Sequence, residues 1–254
     1  MPDTPFEPHP TLAKLYPEAA VGGYSRLDGQ IEFYTRVNAL VDAKSRVLDF
    51  GAGRGQWAID PMPEMARRLR TLKGRVAEVV GSDVDEVVLT NPTLDTAVLV
   101  ELGAPLPFEE SGFDLVIADH VLEHVNPEDA QAVADDIMRV LKPGGWLAAR
   151  TPNKWGVIGM GARAIPNKAH TKVLSKLQPG RKAEDVFPTR YAMNTRKHLR
   201  ALFAGHDVHV YGHASEPQYV GGSPMAWRLA AGVDRLTPPR MAPTLMVFVQ
   251  KSRR

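Results

Sequence analysis

One stretch constrains the fold of this chain more than any other: Arg46-Val47-Leu48-Asp49-Phe50-Gly51-Ala52-Gly53-Arg54-Gly55. The apolar run predicts a buried strand, and the three glycines after it predict a tight turn that opens a helix. Glycine lets a ligand approach the main chain closely, and a helix start offers it free N–H groups. The stretch therefore indicates either a ligand-binding turn or a purely structural strand-to-helix turn.

A second apolar run, Val76 to Val80, leads into Gly81-Ser82-Asp83-Val84-Asp85. A carboxylate at the tip of a second strand suits a nucleoside ligand, because it accepts hydrogen bonds from two ribose hydroxyls at once. The alternative is that one of the two aspartates caps a helix that starts at Glu86. Asp85 is the better candidate for that capping role, and Asp83 for the ligand.

Segments with strand and helix patterns alternate over the first 153 residues, which predicts a parallel sheet covered by helices on both faces. A helix start with proline at its first position is expected at Asn126-Pro127-Glu128-Asp129, and Lys142-Pro143-Gly144-Gly145 should separate that helix from the next strand. The further predicted strands span 96–102, 113–118, 146–150, 208–211 and 245–249. Ligands of such sheets bind beyond the carboxyl ends of the strands, where Asp119, His120 and Asn153 are expected.

Composition excludes several classes of protein. The chain has 254 residues, a net charge of +2 and no cysteine, which rules out disulfides, thiolate metal sites and a cysteine nucleophile. The missing cysteines, with an N-terminus that lacks a basic start and an apolar core, predict a cytoplasmic protein. No apolar run reaches about 18 residues, so no membrane-spanning helix is expected.

As an ordered set, these motifs resemble those of class I S-adenosylmethionine-dependent methyltransferases, of the small-molecule type typified by quinone-biosynthesis methyltransferases. The glycine-rich stretch is similar to the first motif of that family, and Val80-Gly81-Ser82-Asp83 to its acidic ribose loop. The other similar segments are Leu106-Pro107-Phe108, Phe113-Asp114-Leu115-Val116, Leu122-Glu123-His124-Val125 and Arg139-Val140-Leu141-Lys142-Pro143-Gly144-Gly145. The resemblance covers residues 46–153.

The resemblance implies an α/β fold with a three-layer, Rossmann-like seven-strand sheet in the order 3-2-1-4-5-7-6 and strand 7 antiparallel. It also implies S-adenosyl-L-methionine as the cofactor, with its methionine part at the glycine turn and its ribose at Asp83. Where the family carries an acidic residue for the adenine, this chain has Leu102, and Glu101 lies one place early. The implied cofactor-binding residues are Asp49, Gly51, Ala52, Gly53, Gly55, Asp83, Val84, Leu102 and Asp119.

The expected organisation has four parts. An N-terminal arm with a capping helix spans residues 1–45, and the cofactor-binding core spans 46–153. An acceptor-site insertion is expected at 154–190, because there the alternation of strands and helices stops. The C-terminal part of the sheet, with a helical insertion, occupies 191–254.

The reaction that the resemblance implies is in-line displacement of a methyl group from a sulfonium, on a small-molecule or glycan- or lipid-type acceptor and at oxygen. The protein would mainly position the acceptor and exclude water. His120 and His124 are the candidate bases near the end of the fourth strand, although His124 also fits a helix residue bonded to the backbone. The candidate acceptor-binding residues are Trp155, His170 and Tyr191.

Residues 154–182 contain seven basic residues and no acidic one, which indicates an anionic acceptor, contact with an anionic membrane surface, or only a solvated charged face. No metal-ligand spacing and no nucleic-acid methyltransferase motif is present, so neither a metal nor a nucleic-acid partner is expected. The alternatives are an NAD(P)-binding protein and a non-catalytic protein of the same fold. Gln56 stands where the dinucleotide fingerprint needs its third glycine, which disfavours the first alternative.

Overall fold

The computed structural model of the chain describes residues 6–156, 190–217 and 223–253. Within these ranges, seven strands form a single sheet. In chain order they are β1 Arg46–Phe50, β2 Glu78–Asp83, β3 Thr96–Leu99, β4 Phe113–Asp119, β5 Leu141–Pro152, β6 Asp207–His213 and β7 Thr244–Gln250.

Helices flank this sheet and connect its strands. The α-helices are α1 Pro10–Leu15, α2 Gly29–Ala39, α3 Glu64–Arg70, α4 Ala130–Val140, α5 Arg196–Leu202 and α6 Pro224–Leu236. Short 3₁₀ helices span Pro17–Ala20, Gln56–Ala58, Glu86–Thr90, Leu122–His124 and Pro239–Met241. In the part of the chain that the structure describes, no helix is both long and apolar enough to cross a membrane.

The strand order is β3-β2-β1-β4-β5-β7-β6. The first five strands pair in parallel, and β7 runs antiparallel to both β5 and β6. This confirms the α/β, Rossmann-like sheet that the family resemblance implied, including its antiparallel seventh strand. Because β1 and β4 are neighbours in the centre, the loops after their carboxyl ends lie side by side.

Alternate residues of the central strands face opposite sides of the sheet, as the strand period of two requires. Val47 and Leu115 pack with α2 residues on one face. Leu48 and Val116 pack with α4 and α5 on the other face, around the fully buried Ile137. The protein therefore has three layers, with an apolar core on each side of the sheet.

Helix α2 lies within residues 1–45, where the sequence predicted a capping helix, and Asp28 caps its N-terminus. Asp28 Oδ1 accepts the N–H groups of Gln30 and Ile31 at 2.8 and 3.0 Å, which satisfies two free donors of the first turn. The helix buries Phe33 and Tyr34 against the sheet. This packing brings the Tyr34 hydroxyl to the carboxyl end of β4.

Two predicted boundaries near the fourth helix were wrong. Helix α4 begins at Ala130, and Pro127 lies in a preceding turn, where Asn126 Nδ2 donates to Asp129 Oδ2 at 3.0 Å. Strand β5 already begins at Leu141, which pairs with Phe113 of β4, and the stretch expected as a separator is bonded to the residue that follows β7. The Gly144 N–H donates to the Lys251 carbonyl, and the Lys251 N–H donates to the Gly145 carbonyl, both at 2.9 Å.

Candidate functional site

The glycine turn after β1 is held against the end of β2. The N–H groups of Gly51 and Ala52 both donate to the Ser82 carbonyl, at 2.7 and 3.1 Å. Gly51, Gly53 and Gly55 all have positive φ angles, of 76°, 54° and 65°. A side chain is disfavoured at each of these angles, which is why the turn requires glycine.

Asn91 fixes the shape of this turn from the far side. Its side-chain Nδ2 donates to the carbonyls of Ala52 and Gly53 at 3.1 and 3.0 Å, and the residue is buried. A Cβ atom at Gly55 would lie 2.3 Å from Asn91 Oδ1. The third glycine, Gly55, therefore makes room for the amide that holds Ala52 and Gly53.

Asp83 closes the turn at the tip of β2. Its Oδ2 accepts the Gly53 N–H at 2.8 Å, and its Oδ1 accepts the Asp85 N–H at 3.0 Å. Asp85 in turn accepts the Val87 N–H at 3.0 Å and caps the 3₁₀ helix that follows. A carboxylate has about four acceptor positions, so Asp83 retains two for a ligand.

The two faces of the glycine turn differ in their surroundings. A Cβ built on Gly51 would lie 2.4 Å from Cγ2 of Val121, in the loop after β4. A Cβ on Gly53 would meet no atom within 4 Å. The turn therefore packs tightly against the β4 loop at Gly51 and is open at Gly53.

This difference gives a testable expectation. Gly53→Ala should cost about 1–2 kcal/mol of unfolding free energy, because the left-handed angle strains any residue with a Cβ atom. Gly51→Ala adds a clash with Val121 to the same strain, so it should be clearly more destabilising. Urea denaturation of both variants measures the difference, and equal losses of stability would contradict the packing at Gly51.

A buried ion pair lies at the ends of β4 and β5. Arg150 Nε and Nη2 donate to the two oxygens of Asp119 at 2.7 and 2.8 Å, and the Tyr34 hydroxyl donates to Oδ2 at 3.1 Å. Burial alone would raise the pKa of Asp119, yet the charge and hydrogen bonds of Arg150, with His120 and Arg70, hold that pKa well below its usual value. Asp119 is therefore an ionised carboxylate committed to its protein partners.

The Arg70 guanidinium lies over two aromatic rings beside this pair. Its guanidinium carbon lies 5.3 Å from the Tyr34 ring centre and 4.9 Å from that of Trp57. The three side chains and Asp49 share a small pocket, which is completed by Leu72, Val79, Thr93 and Ile117. Burial raises the pKa of Asp49 to about 6. The positive charge of Arg70 lowers this pKa, and the negative charges of Asp119 and Asp83 raise it further.

His120 follows Asp119 and has a left-handed backbone, with φ of 62°. Its N–H donates to the Arg150 carbonyl at 2.9 Å, and its ring Nδ1 lies 3.1 Å from Glu123 Oε1. The His120 side chain is 46% exposed, whereas that of Glu123 is 5% exposed. An imidazole thus faces open space on one side and a buried carboxylate on the other.

The remaining predicted residues lie around this centre. His124 ends the 3₁₀ helix after β4, and its N–H donates to the Val121 carbonyl at 2.9 Å. Tyr191 contacts the Glu123 carbonyl through its N–H, at 3.4 Å. Val84, Leu102 and Trp155 are exposed, and the exposed fraction of Leu102 is 75%. His170 lies outside the described residues.

Sequence reasoning missed several residues that shape the site. They are Asn91, Glu123, Arg150, Thr151 and, as polar partners, Tyr34 and Arg70. Two had a signal in the sequence: Glu123 interrupts the apolar run from Val121 to Val125, and Arg150 ends an apolar strand. A charge in such a run is rarely buried without a partner, so both positions were candidates for paired groups.

No group of three or more His, Asp or Glu side chains that could hold a metal ion occurs within residues 6–156, 190–217 and 223–253. The edge of the sheet at the carboxyl ends of β1, β2 and β4 instead offers space and hydrogen-bonding groups for a polar organic ligand. It combines the open turn at Gly53, the carboxylate of Asp83 and the half-exposed ring of His120.

Comparisons with known proteins agree with this geometry. Residues 48–149 match the family model described as a methyltransferase domain. The chain is 31% identical over 124 residues to an uncharacterised methyltransferase of Synechocystis sp., covering 46% of this chain and 53% of that protein. It is 32% identical over 137 residues to a probable S-adenosylmethionine-dependent methyltransferase of Mycolicibacterium smegmatis, and this match covers 51% of this chain and 46% of that protein. The matches thus span about half the length of these curated relatives.

A solved structure shows the same fold. The SAM-dependent methyltransferase from Archaeoglobus fulgidus superposes with a TM-score of 0.53 over 92% of this chain and 97% of that protein. Its sequence identity to this chain is 17%, so the likeness concerns the fold. The glycine turn and the family match both fall within the five parallel strands, whereas the sheet order extends to β6 and β7.

Proposed function

We propose, from the premise that residues 48–149 form a class I S-adenosylmethionine-dependent methyltransferase domain, that the protein methylates a hydroxyl group of a small-molecule or glycan- or lipid-type acceptor. One observation carries the proposal: the loops after β1, β2 and β4 meet at one edge of the sheet. Gly51 packs on Val121, Gly53 donates to Asp83, and His120 lies beside Val121.

The residues present fit S-adenosylmethionine. The turn leaves space for a ligand beside Gly53, where a Cβ would meet nothing within 4 Å, while Asp83 and Asn91 hold the Gly53 N–H and carbonyl in place. Asp83 keeps acceptor positions for two ribose hydroxyls. Asp49 lies close to the turn, where an ionised carboxylate would favour a cationic amino group. The cofactor roles of Ala52, Gly55, Val84 and Leu102 remain predictions.

Asp119 is the cofactor candidate that the geometry supports least. Both of its oxygens are engaged by Arg150, and one also by Tyr34. Its side chain is 8% exposed. These contacts favour a structural role, in which Asp119 fixes the end of β4 and thereby the backbone of His120.

When bound, S-adenosylmethionine would supply an activated methyl group and its own leaving group. The chain's own task is then to hold the acceptor in line, to exclude water and to take up a proton. His120 is the proposed base because its ring is half-exposed beyond β4. An imidazole is a suitable acceptor for the proton of a hydroxyl near neutral pH.

Calorimetry with S-adenosylmethionine, S-adenosylhomocysteine and NADH tests the cofactor. We expect both sulfur compounds to compete for one site and NADH not to bind. Binding of NADH in place of the sulfonium compound would overturn the proposal. A panel of phenols, sugars and lipid-linked sugars, incubated with methyl-labelled cofactor, then tests the acceptor class by the transfer of label.

A comparison of two neighbouring aspartates tests the ribose contact. Asp83→Ala should weaken binding of S-adenosylhomocysteine about 10–150-fold, since a hydrogen bond to a charged acceptor contributes about 1.5–3 kcal/mol. Asp85→Ala is the matched control, because Asp85 only caps the 3₁₀ helix Glu86–Thr90. Calorimetry gives both affinities, and equal losses would show that Asp83 has no special role.

Several finer predictions accompany this proposal. A quinone-like acceptor rests on the motif resemblance alone, and an anionic acceptor or membrane contact rests on the basic residues of 154–182. Most of that segment, and most of the proposed acceptor-site insertion at 154–190, lies outside the described residues. Trp155 and Tyr191 lie on either side of residues 157–189, and we propose that both side chains bind the acceptor. The four-part organisation and a cytoplasmic location also stay predictions.

A further inference from the structure

We propose that Glu123 is a positioning residue that orients the His120 ring, with a proton on Nδ1 and a free lone pair on Nε2. The inference rests on the proposed function in one respect: the oriented ring would give a methyltransferase a base with a defined proton-accepting atom. The geometry that supports it is independent of the cofactor.

The Glu123 carboxylate is buried, with its side chain 5% exposed. Its two described side-chain partners are His120 and Thr151, one on each oxygen, at 3.1 and 3.0 Å. No Lys or Arg side chain among the described residues forms an ion pair with it. A buried carboxylate without donors would cost several kcal/mol, so each oxygen requires a hydrogen.

The Thr151 hydroxyl has a defined direction. Asn194 Nδ2 donates to Thr151 Oγ1 at 2.6 Å, so the threonine oxygen already acts as an acceptor. Its single hydrogen is therefore available for Glu123 Oε2. Thr151 and Asn194 are both fully buried, so no solvent competes for these bonds.

In the proposal Glu123 is the ionised partner, so its Oε1 accepts the hydrogen carried by His120 Nδ1. An ionised carboxylate only accepts hydrogen bonds, and a neutral imidazole has one donor and one acceptor nitrogen. Placing the proton on Nδ1 leaves Nε2 as the acceptor. The hydrogen bond made by one ring nitrogen thus sets the chemistry of the other.

The backbone holds this arrangement in place. His120 has a left-handed φ of 62°, its N–H is bound to the Arg150 carbonyl, and the Glu123 carbonyl accepts the Arg190 N–H at 2.7 Å. A non-glycine residue persists in this conformation only where its surroundings fix it. Both partners of the pair are therefore attached to neighbouring elements by main-chain bonds.

In the proposed reaction the acceptor oxygen forms a bond to the methyl carbon. The carbon–sulfur bond breaks and its electron pair stays on sulfur, which leaves a neutral thioether. The hydroxyl proton passes to His120 Nε2, and the imidazolium that results lies against the Glu123 carboxylate. Glu123 would stabilise that charge without itself taking the proton, as a carboxylate beside a catalytic histidine does.

The test is the protonation pattern of His120, read by nitrogen NMR of histidine-labelled protein in complex with S-adenosylhomocysteine. The His120 signals are assigned by their absence in His120→Asn. At about pH 8, where an imidazole is largely neutral, we expect Nδ1 to carry the hydrogen in the wild type. Glu123→Met, which has similar length and no acceptor oxygen, should shift the hydrogen towards Nε2.

Glu128→Met is the matched control, because Glu128 is exposed and lies in the same connection between β4 and α4. It should leave the His120 signals unchanged. Hydrogen mainly on Nε2 in the wild type, or the same pattern in Glu123→Met, would overturn the proposal. If Glu123→Met does not fold, the wild-type spectrum alone decides.

Kinetics supply a second readout with whichever acceptor takes up label in the panel. Glu123→Met should lower kcat about 10–100-fold, with the affinity for the cofactor nearly unchanged. In the His120→Asn background the same change should have no further effect on kcat, because the two residues act as a unit. Additive losses in the double variant would contradict the positioning role.

The two hypotheses can fail separately. Absence of cofactor binding in calorimetry would overturn the methyltransferase proposal, while the nitrogen spectrum of the protein without ligand would still report on the His120–Glu123 pair. Conversely, cofactor binding and label transfer with hydrogen on Nε2 would keep the activity and remove Glu123 from it.

Discussion

Replacing Asp119 with alanine is expected to lower the free energy of unfolding by about 3–5 kcal/mol. The Arg150 side chain is 9% exposed, and its two donors to Asp119 would lose their acceptors. The Tyr34 hydroxyl would lose its acceptor too. An uncompensated charge inside the protein is the reason for the large effect, and chemical denaturation at neutral pH measures it.

Glu78→Ala is the matched control for this prediction. The Arg46–Glu78 pair has a similar distance of 2.6 Å, but its side chains are 41% and 31% exposed. Exposed pairs contribute about 0–1 kcal/mol, so the control should change stability little. The double variant Asp119→Ala, Arg150→Met should recover part of the loss, since the buried Arg150 charge is removed together with its partner. Similar losses for Asp119→Ala and Glu78→Ala would contradict the burial argument.

The difference in unfolding free energy between the wild type and Asp119→Ala should depend on pH, because the pKa of Asp119 is lowered in the folded protein. Because the folded-state pKa is depressed, the carboxylate stabilises the folded protein above the unfolded value of about 4. That contribution is lost as the pH falls through the lower, folded-state pKa. The gap in stability between the wild type and Asp119→Ala should therefore narrow in acid, below about pH 4.

Much of the fold could be predicted because its determinants are local. The run from Arg46 to Gly55 contains the strand, the turn and the glycines that the positive φ angles require. Asp28 and Asp85 cap the elements that follow them, and a cap bonds only to N–H groups two or three residues away. The order of such local elements, with the family resemblance, was enough to predict the sheet.

The polar contacts of the site could not be predicted in the same way, because their partners are far apart in the sequence. Asn91 bonds to the glycine turn from 38 and 39 residues away. Tyr34 and Asp119 are separated by 85 residues. Only the packing of α2 and the loops on the sheet brings these groups together, and side-chain patterns along the chain do not encode that distance.

The two wrong boundaries have a related cause. Proline and glycine in Lys142-Pro143-Gly144-Gly145 are typical of a break between elements, yet this stretch is held by the chain end at Lys251. Likewise Asn126 bonds to the Asp129 side chain and stabilises a turn before α4. In both places a specific tertiary or side-chain contact outweighs the local preference of the residues.

His120→Asn is expected to lower kcat by about 10²–10⁴ while cofactor affinity changes by less than about 3-fold. Asparagine is the sharper replacement here, because it tolerates the left-handed backbone of His120 better than alanine does and offers no imidazole. The loss would reflect the missing proton acceptor beyond β4. The measurement is formation of S-adenosylhomocysteine with the acceptor found in the panel, together with calorimetry of cofactor binding.

Two further histidines serve as controls for this expectation. His198→Asn changes an exposed residue of α5 and should leave kcat unaltered. His124→Asn changes the neighbouring candidate base, which ends the 3₁₀ helix after β4, and should have the smaller effect of the two candidates. If His120→Asn retains full turnover between about pH 6 and 9, where an imidazole changes its charge, then His120 is not the base. A larger loss in His124→Asn than in His120→Asn would instead transfer the role to His124, and the pairing of His120 with Glu123 would then be structural.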